Sequence, residues 1–245
     1  LSTRMAGASR GKFSTMNFSY SRGDAAEDVL ENFTRMAAAL GVERDRMVVS
    51  HQTHTVNLRR VTLEDAGKGV VRERDYRDID GLITDVPGLT LVTFYADCVP
   101  LYLLDPVNRA IGLSHSGWRG TVKRMGQVMV DAMKEAFGTK PEDLIACVGP
   151  SICRDCFEVG GEVVEEFREA FGPEHREALY CQGKRPGKYQ LDLWKANEII
   201  FREAGIHQEN IHITNICTMC NSDYLFSHRK VGEERGNLAA FLCLK

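Results

Sequence analysis

The sequence predicts an α+β domain in which mixed β-sheets are layered against helices. Strand-like runs outnumber helix-like runs about two to one. The two kinds do not alternate strictly, which argues for a mixed-sheet layered domain over a doubly wound nucleotide-binding fold. No repeat, low-complexity linker or composition break divides the chain, so residues 1–245 are expected to form one domain.

From the N-terminus, DAAEDVLENFTRMAAALG (24–41) reads as a helix, with Asp24-Ala-Ala-Glu27 as a capping box and Gly41 as its stop. MVVSHQTHTVNLRRV (47–61), GLITDV (81–86) and LTLVTFYADC (89–98) are strand-like, rich in β-branched and aromatic residues. LYLLD (101–105) and AIGLSHS (110–116) follow, joined by a turn at Pro106–Arg109. In TVKRMGQVMVDAMKEAFG (121–138), Val122, Met125, Met129, Ala132, Met133 and Ala136 recur at three and four, giving a helix with one buried stripe. LIACVG (144–149) is a strand, and GEVVEEFREAFG (161–172) and LDLWKANEIIFREAG (191–205) are helices ending at glycine. CQGKRPGKYQ (181–190) reads as a loop, and IHITNI (211–216) and NLAAFLCL (237–244) as the last strands.

With 43% hydrophobic and 27% charged residues the chain has ample core material, and a net charge of −3 gives no basic field for nucleic acid. The longest apolar stretch is far shorter than the ~20 residues a bilayer span needs. The start, LSTRMAGASRGKF, lacks the apolar core of a signal peptide. A cytoplasmic protein without nucleic-acid or membrane partners is expected, with its eight cysteines reduced. Cys147 and Cys243 lie in apolar runs and read as core.

The strand pair 101–116 carries residues a core hairpin does not need. If the strands pair simply, positions summing to about 215 face each other, and Cys98 falls within cross-strand reach of His115 and Gly117. Pro100 donates nothing to a ladder, so a bend is expected just after Cys98. Asp97 is expected to hydrogen-bond a neighbouring imidazole or backbone amide and to help orient the pair. Gly117, Arg119 and Gly120 precede the next helix, where backbone N–H groups and a guanidinium suit phosphate or carboxylate; the plain alternative is a tight turn with a surface arginine. In SHQTHTV, His51 and His54 would face opposite sides of a strand, so at most one reaches a common site. Two His and one Cys make a three-ligand set with an open fourth position, as catalytic zinc sites have; the alternative is a polar histidine pair on an exposed strand. Cys153-x-x-Cys156 and Cys217-x-x-Cys220 are about sixty residues apart, beyond the usual span of a zinc ribbon. They are expected to be incidental thiols, with a four-Cys zinc site or a redox pair as lesser alternatives. His175, His207 and His212 read as surface residues, and His228 as bordering a site or solvated.

HQTHT, ADCVPLYLLDP, LSHSGWRGTV, GPSICRDCFEVG, LDLWKAN and ICTMCNSDYLFSHRKVGEERG stand in the order seen in the YfiH-like proteins, which the chain resembles over essentially its whole length. That family carries the names multicopper polyphenol oxidase, laccase-domain protein, purine nucleoside phosphorylase and peptidoglycan editing factor. The resemblance implies one catalytic domain with two mixed sheets flanked by helices, in α/β/β/α layers, similar to the catalytic domain of cytotoxic necrotizing factor toxins. It implies a metal-binding catalytic set of His54, Cys98 and His115, with His51 a bystander. It further implies zinc; copper is expected to bind such N/S ligands in vitro, and the chain is expected to be a monomer or a homodimer. The implied reactions are phosphorolysis of adenosine, inosine, guanosine and methylthioadenosine, and deamination of adenosine. For phosphate, the inferred contacts are Arg119, Gly120 and Asp97. One departure is Arg235-Gly236-Asn237, where many relatives have Gly-Arg. Three other readings are kept: a copper-dependent polyphenol oxidase, a Cys98–His115 hydrolase editing peptidoglycan precursors, and a non-catalytic metal-bound regulator. A multicopper centre draws imidazoles from several domains, and this chain has seven His in all.

Overall fold

The computed structural model describes residues 1–245. The chain begins with α1 (Ala26–Leu40), then β1 (Met47–Val49), β2 (Leu58–Arg60), β3 (Gly81–Thr84), β4 (Thr90–Tyr95), β5 (Val99–Asp105) and β6 (Ala110–Ser116). Two helices follow, α2 (Trp118–Val122) and α3 (Met125–Phe137), and then β7 (Ile145–Val148), β8 (Glu158–Gly160) and α4 (Gly161–Ala170). The rest is α5 (Arg176–Leu179), β9 (Tyr180–Gln182), β10 (Lys188–Leu191), α6 (Leu193–Glu203), β11 (Ile211–Ile213), α7 (His228–Val231) and β12 (Leu238–Cys243). No helix is long and apolar enough to cross a membrane.

A six-stranded mixed sheet runs β11-β7-β5-β6-β3-β2, and a three-stranded mixed sheet runs β1-β4-β12. Strand alternation builds the layers, because successive side chains leave opposite faces. Along β5, Val99, Leu101 and Leu103 join the core with Met129 and Met133 of α3 and Ile200 of α6, whereas Tyr102 and Leu104 turn toward the second sheet. Along β4, Leu91 and Tyr95 face the six-stranded sheet, while Val92 and Phe94 face Val29, Phe33 and Ala37 of α1. The order is therefore helix, large sheet, small sheet, helix, the layering expected.

A third sheet, β8-β10-β9, is antiparallel and was not expected. Its β9–β10 hairpin spans residues 180–191 and so covers 181–190, read above as a loop. Strands of three and four residues are too short to show a period, and Pro186-Gly187 at the tip dominates the local signal. The helix expected over 121–138 starts earlier and breaks in two, with Arg124 between α2 and α3 in the left-handed region at φ 61°. The Asp24 capping box does not form: Ala25 is the N-cap, and the Asp24 carboxylate accepts from Asn17 and the Ala25 N–H instead. Gly41 does close α1, at φ 63°. Cys147 and Cys243 are only half-buried, each near one end of its strand.

Candidate active site

β5 and β6 pair in one register, from Val99 opposite Ser116 to Asp105 opposite Ala110. Extending it by one residue sets Cys98 against Gly117. A Cβ on Gly117 would lie 3.1 Å from Cys98 Sγ and 3.2 Å from His54 Cδ2, so only glycine lets these groups close in without displacement. The bend lies before β5 and not after Cys98: Ala96, Asp97 and Cys98 turn the chain, with Asp97 at φ 85°, and Val99-Pro100 already belongs to the strand. Pro100 is tolerated because its backbone faces the end of β7, where its carbonyl accepts the Gly149 N–H at 2.9 Å.

His54 is not on a strand. Residues 50–57 form a loop after β1, and His54 adopts φ 63°. The loop is wound around Asp80, the residue just before β3. Asp80 Oδ2 accepts the Thr53 N–H (3.0 Å), the Thr55 N–H (2.9 Å) and the Thr55 hydroxyl (2.8 Å). Its Oδ1 accepts the His54 N–H at 3.1 Å and lies 2.9 Å from His115 Nδ1. One fully buried carboxylate thus places both histidines. The sequence reading assigned this orienting role to Asp97, and it belongs to Asp80. YRDIDG holds two acids, and the only signal favouring Asp80 is its place directly before the apolar strand GLIT.

The donor atoms of His54, Cys98 and His115 all lie within 4.8 Å of one another. The two imidazoles stand edge-to-face with centroids 5.0 Å apart. Because His115 Nδ1 is engaged by Asp80, its Nε2 is left toward the cluster, the arrangement by which a carboxylate fixes a ligating ring. Burial disfavours the Cys98 thiolate, yet the charge of His115 and hydrogen bonds from His115 and His54 outweigh it and lower the thiol. Burial likewise opposes the His115 imidazolium, but Cys98 and Asp80 raise it above the usual histidine range. Burial would raise the Asp80 carboxyl; His115 and the Thr53 and Thr55 amides bring it down to about 2. Two imidazoles and one activated thiol, with a carboxylate behind one ring, fit a single zinc-type ion with a fourth position open.

The remaining predicted residues are more dispersed. Asp97 is buried, with Oδ1 accepting the Thr218 hydroxyl and Oδ2 the Arg229 N–H, each at 2.6 Å. Gly120 is buried inside α2 and lines neither cleft described below. Arg119 is exposed and lies over the Trp118 ring at 4.2 Å. With five residues, α2 makes a weak helix dipole, so any anion contact here rests on the Arg119 side chain. His51 Nδ1 accepts the Asp78 N–H, outside the cluster.

Two clefts meet at the cluster. The larger, about 410 Å³, is lined by Tyr20, Phe94, Arg22, Arg74 and Arg235, together with all three donor residues. The smaller, about 140 Å³, is lined by Arg119, Phe157, His228 and Arg229 with Asp97. His54, Ala96 and Cys98 are common to both. Beyond the donors, sequence reasoning had singled out only His51 and the Arg235–Asn237 departure among the residues of the larger cleft, because its lining comes from chain segments far apart.

The two Cys-x-x-Cys pairs, expected to be incidental, are gathered into one cluster of four thiols next to the smaller cleft.

Comparison with known proteins agrees with this fold. Purine nucleoside phosphorylase YlmD of Geobacillus stearothermophilus is 34% identical over 99% of this chain and 88% of that protein. Adenosine deaminase RL5, from an unknown prokaryotic organism, is 33% identical over 93% of this chain and 86% of its own. The crystal structure of the Bacillus licheniformis hypothetical protein YfiH superposes with a TM-score of 0.94, at 31% identity, covering 99% of this chain and 91% of that one. The sequence pattern of the family described as multi-copper polyphenol oxidoreductase laccase spans residues 1–245, and the chain belongs to that family.

Proposed function

We propose that the chain is an enzyme of purine nucleosides, a phosphorylase that also deaminates adenosine, working at His54, Cys98 and His115 with one zinc ion. The observation that carries this reading is the pair of unequal clefts meeting at the cluster. Phosphorolysis needs a nucleoside and a phosphate to converge on C1′ of the ribose from different directions. The cleft of about 410 Å³, walled by Tyr20 and Phe94, has room for a nucleoside. The cleft of about 140 Å³ suits an inorganic anion, with the Arg119 and Arg229 side chains on its wall. The names of the relatives, purine nucleoside phosphorylase and adenosine deaminase, support the same substrate class.

In this reading His54, Cys98 and His115 hold the ion, which supplies Lewis-acid polarisation. Asp80 keeps the His115 ring in the tautomer that leaves Nε2 as a lone-pair donor. Arg235, whose Nε is buried without a partner, faces the nucleoside from the larger cleft. Arg119 neutralises phosphate and aligns it beneath the ribose. Ala96 lies on the wall of both clefts, and Gly117 on that of the smaller one. The family's multi-copper label is a poor guide to this chain. His54 and His115 are the only imidazoles in the cluster, and one set of three donors holds one ion.

The purified protein is incubated with adenosine, with and without phosphate, and products are separated by chromatography. Phosphate-dependent adenine together with phosphate-independent inosine is the expected result. Absence of both, with zinc supplied, overturns the reading. The lowered Cys98 thiol favours one rival, a thiol hydrolase. Turnover of an acyl substrate by metal-stripped protein, lost on alkylation, would establish that rival.

A further inference from the structure

Four cysteines stand outside the site just described, in two loops that the sequence separates by about sixty residues. Cys153 and Cys156 flank a single 3₁₀ turn after β7. Cys217 and Cys220 flank a turn after β11, closed by the Asn221 N–H donating to the Cys217 carbonyl. Their four sulfurs all lie within 4.8 Å of one another, and no pair is bonded. Cys156 Sγ lies 3.4 Å from Cys220 Sγ.

From this arrangement we infer a second metal site, a structural zinc held by Cys153, Cys156, Cys217 and Cys220. A zinc ion with four thiolates at ~2.3 Å sets sulfur–sulfur edges of about 3.8 Å, within the spacing seen here. Each Cys-x-x-Cys turn contributes two sulfurs from one side, the local geometry of closed structural zinc sites. Backbone amides support the thiolate form: Cys217 Sγ accepts the Cys153 N–H at 3.3 Å and the Cys220 N–H at 3.4 Å. The first of these bonds crosses between the loops, so the set is built jointly and not as two independent turns. No carboxylate, imidazole or lysine enters the set, and a four-thiolate ligand set selects zinc or iron–sulfur chemistry over magnesium or calcium. Because the donors number four, the site is coordinatively closed, which marks it as structural.

Its place explains its use. Ser151 and Cys217 are bridged in parallel, with the Ser151 N–H donating to Ile216 and the Thr218 N–H to Ser151. Thr218, next to Cys217, donates its hydroxyl to Asp97, the neighbour of Cys98. Phe157, next to Cys156, forms part of the smaller cleft and carries the Arg229 guanidinium 5.1 Å above its ring. Arg229 also donates to the carbonyl of Glu158 at 2.8 Å. An ion at the four thiols therefore pins the two loops that hold Asp97 and wall the smaller cleft.

The test uses full-length protein isolated under reductant without added metal. Thiols are alkylated natively, before and after a chelator, and mapped by peptide mass spectrometry, while zinc is counted by plasma mass spectrometry. Expected is protection of Cys153, Cys156, Cys217 and Cys220 that chelation abolishes, with Cys181 modified throughout. His54→Ala, which weakens the other cluster, is expected to retain one zinc per chain and that same protection. Cys156→Ser combined with Cys220→Ser is expected to lose one equivalent of zinc. Should that double variant fail to fold, cobalt loaded into His54→Ala decides, since a tetrahedral four-thiolate centre gives intense sulfur-to-cobalt charge-transfer absorption. Ready alkylation of the four cysteines in untreated protein, disulfide-linked peptides joining the two loops, or a cobalt spectrum without that absorption would each overturn the inference.

Discussion

Asp80→Asn is the substitution that tests the organisation of the candidate active site most directly. Asparagine keeps the shape of the side chain but turns one oxygen into an NH₂ group. Oδ2 receives three donors, from Thr53 and Thr55, and Oδ1 receives the His54 N–H and faces His115 Nδ1. The amide oxygen therefore takes the Oδ2 place, since the opposite choice would set NH₂ against three donors. NH₂ then faces the His54 N–H, which loses its partner, and donates to His115 Nδ1. That donation moves the His115 proton to Nε2, the atom turned toward Cys98 and His54.

An unpaired, part-buried amide costs about 1 kcal/mol. The three surviving bonds fall from charge-assisted to neutral strength, roughly half. Together these give an expected loss of about 2–3 kcal/mol, read as a shift of the urea midpoint with unchanged slope. Metal affinity falls about 10–100-fold, because a protonated Nε2 offers no lone pair. Zinc affinity is measured by competition with a chromophoric chelator, alongside urea unfolding. A merely structural carboxylate would lower stability and spare the affinity of the folded protein. Retention of wild-type zinc affinity by folded Asp80→Asn would refute the assignment of Asp80 as the residue that sets the His115 tautomer.

Gly117→Ala places a methyl 3.1 Å from Cys98 Sγ and 3.2 Å from His54 Cδ2. Its expected effect is about 1–3 kcal/mol of overpacking and a metal site that no longer closes, seen as weakened zinc binding in protein that still unfolds cooperatively. Arg119→Ala is expected to raise the phosphate KM about tenfold or more while leaving adenosine deamination unchanged, since a charge-assisted contact to the anion is worth about 1.5–3 kcal/mol; equal loss of both activities would sink the two-cleft reading. Asp65 gives the acid-side prediction. Burial would raise its carboxyl, but hydrogen bonds from Lys68, the Thr62 N–H and Arg59 lower it below the ordinary range. A carboxyl depressed in the folded state stabilises above its unfolded pKa and loses that contribution as pH falls through the folded value. Urea midpoints followed from neutral pH to roughly pH 3 should fall more steeply in the parent than in Asp65→Asn.

How much of this was legible in the sequence depended on whether the cause was local. The β5–β6 register was readable because a short turn ties the strands together and period-two alternation fixes which faces meet, and so Cys98 could be set beside His115 from spacing alone. Run counts alone reached a mixed-sheet layered domain, and the order helix, sheet, sheet, helix came with the family resemblance. What failed was everything held by a side chain reaching across the fold. His54 was assigned to a strand because VVSHQTHTV has strand composition, yet the Asp80 carboxylate, collecting four donors from residues 53–55, outbids a ladder and turns the segment into a loop. Asp97 drew the orienting role because it adjoins Cys98, but at φ 85° its carboxylate is carried off to Thr218 and Arg229. The same blindness hid the four thiols: a separation of about sixty residues argues against a ribbon only when the ligands share one local unit. Here the unit is made by β11 lying parallel beside β7, which carries the Cys217 turn onto the Cys153 turn. Both clusters thus follow one rule. Each is assembled where strand ends from distant segments come level, and in each a backbone N–H supplied by one segment fixes an acceptor carried by another.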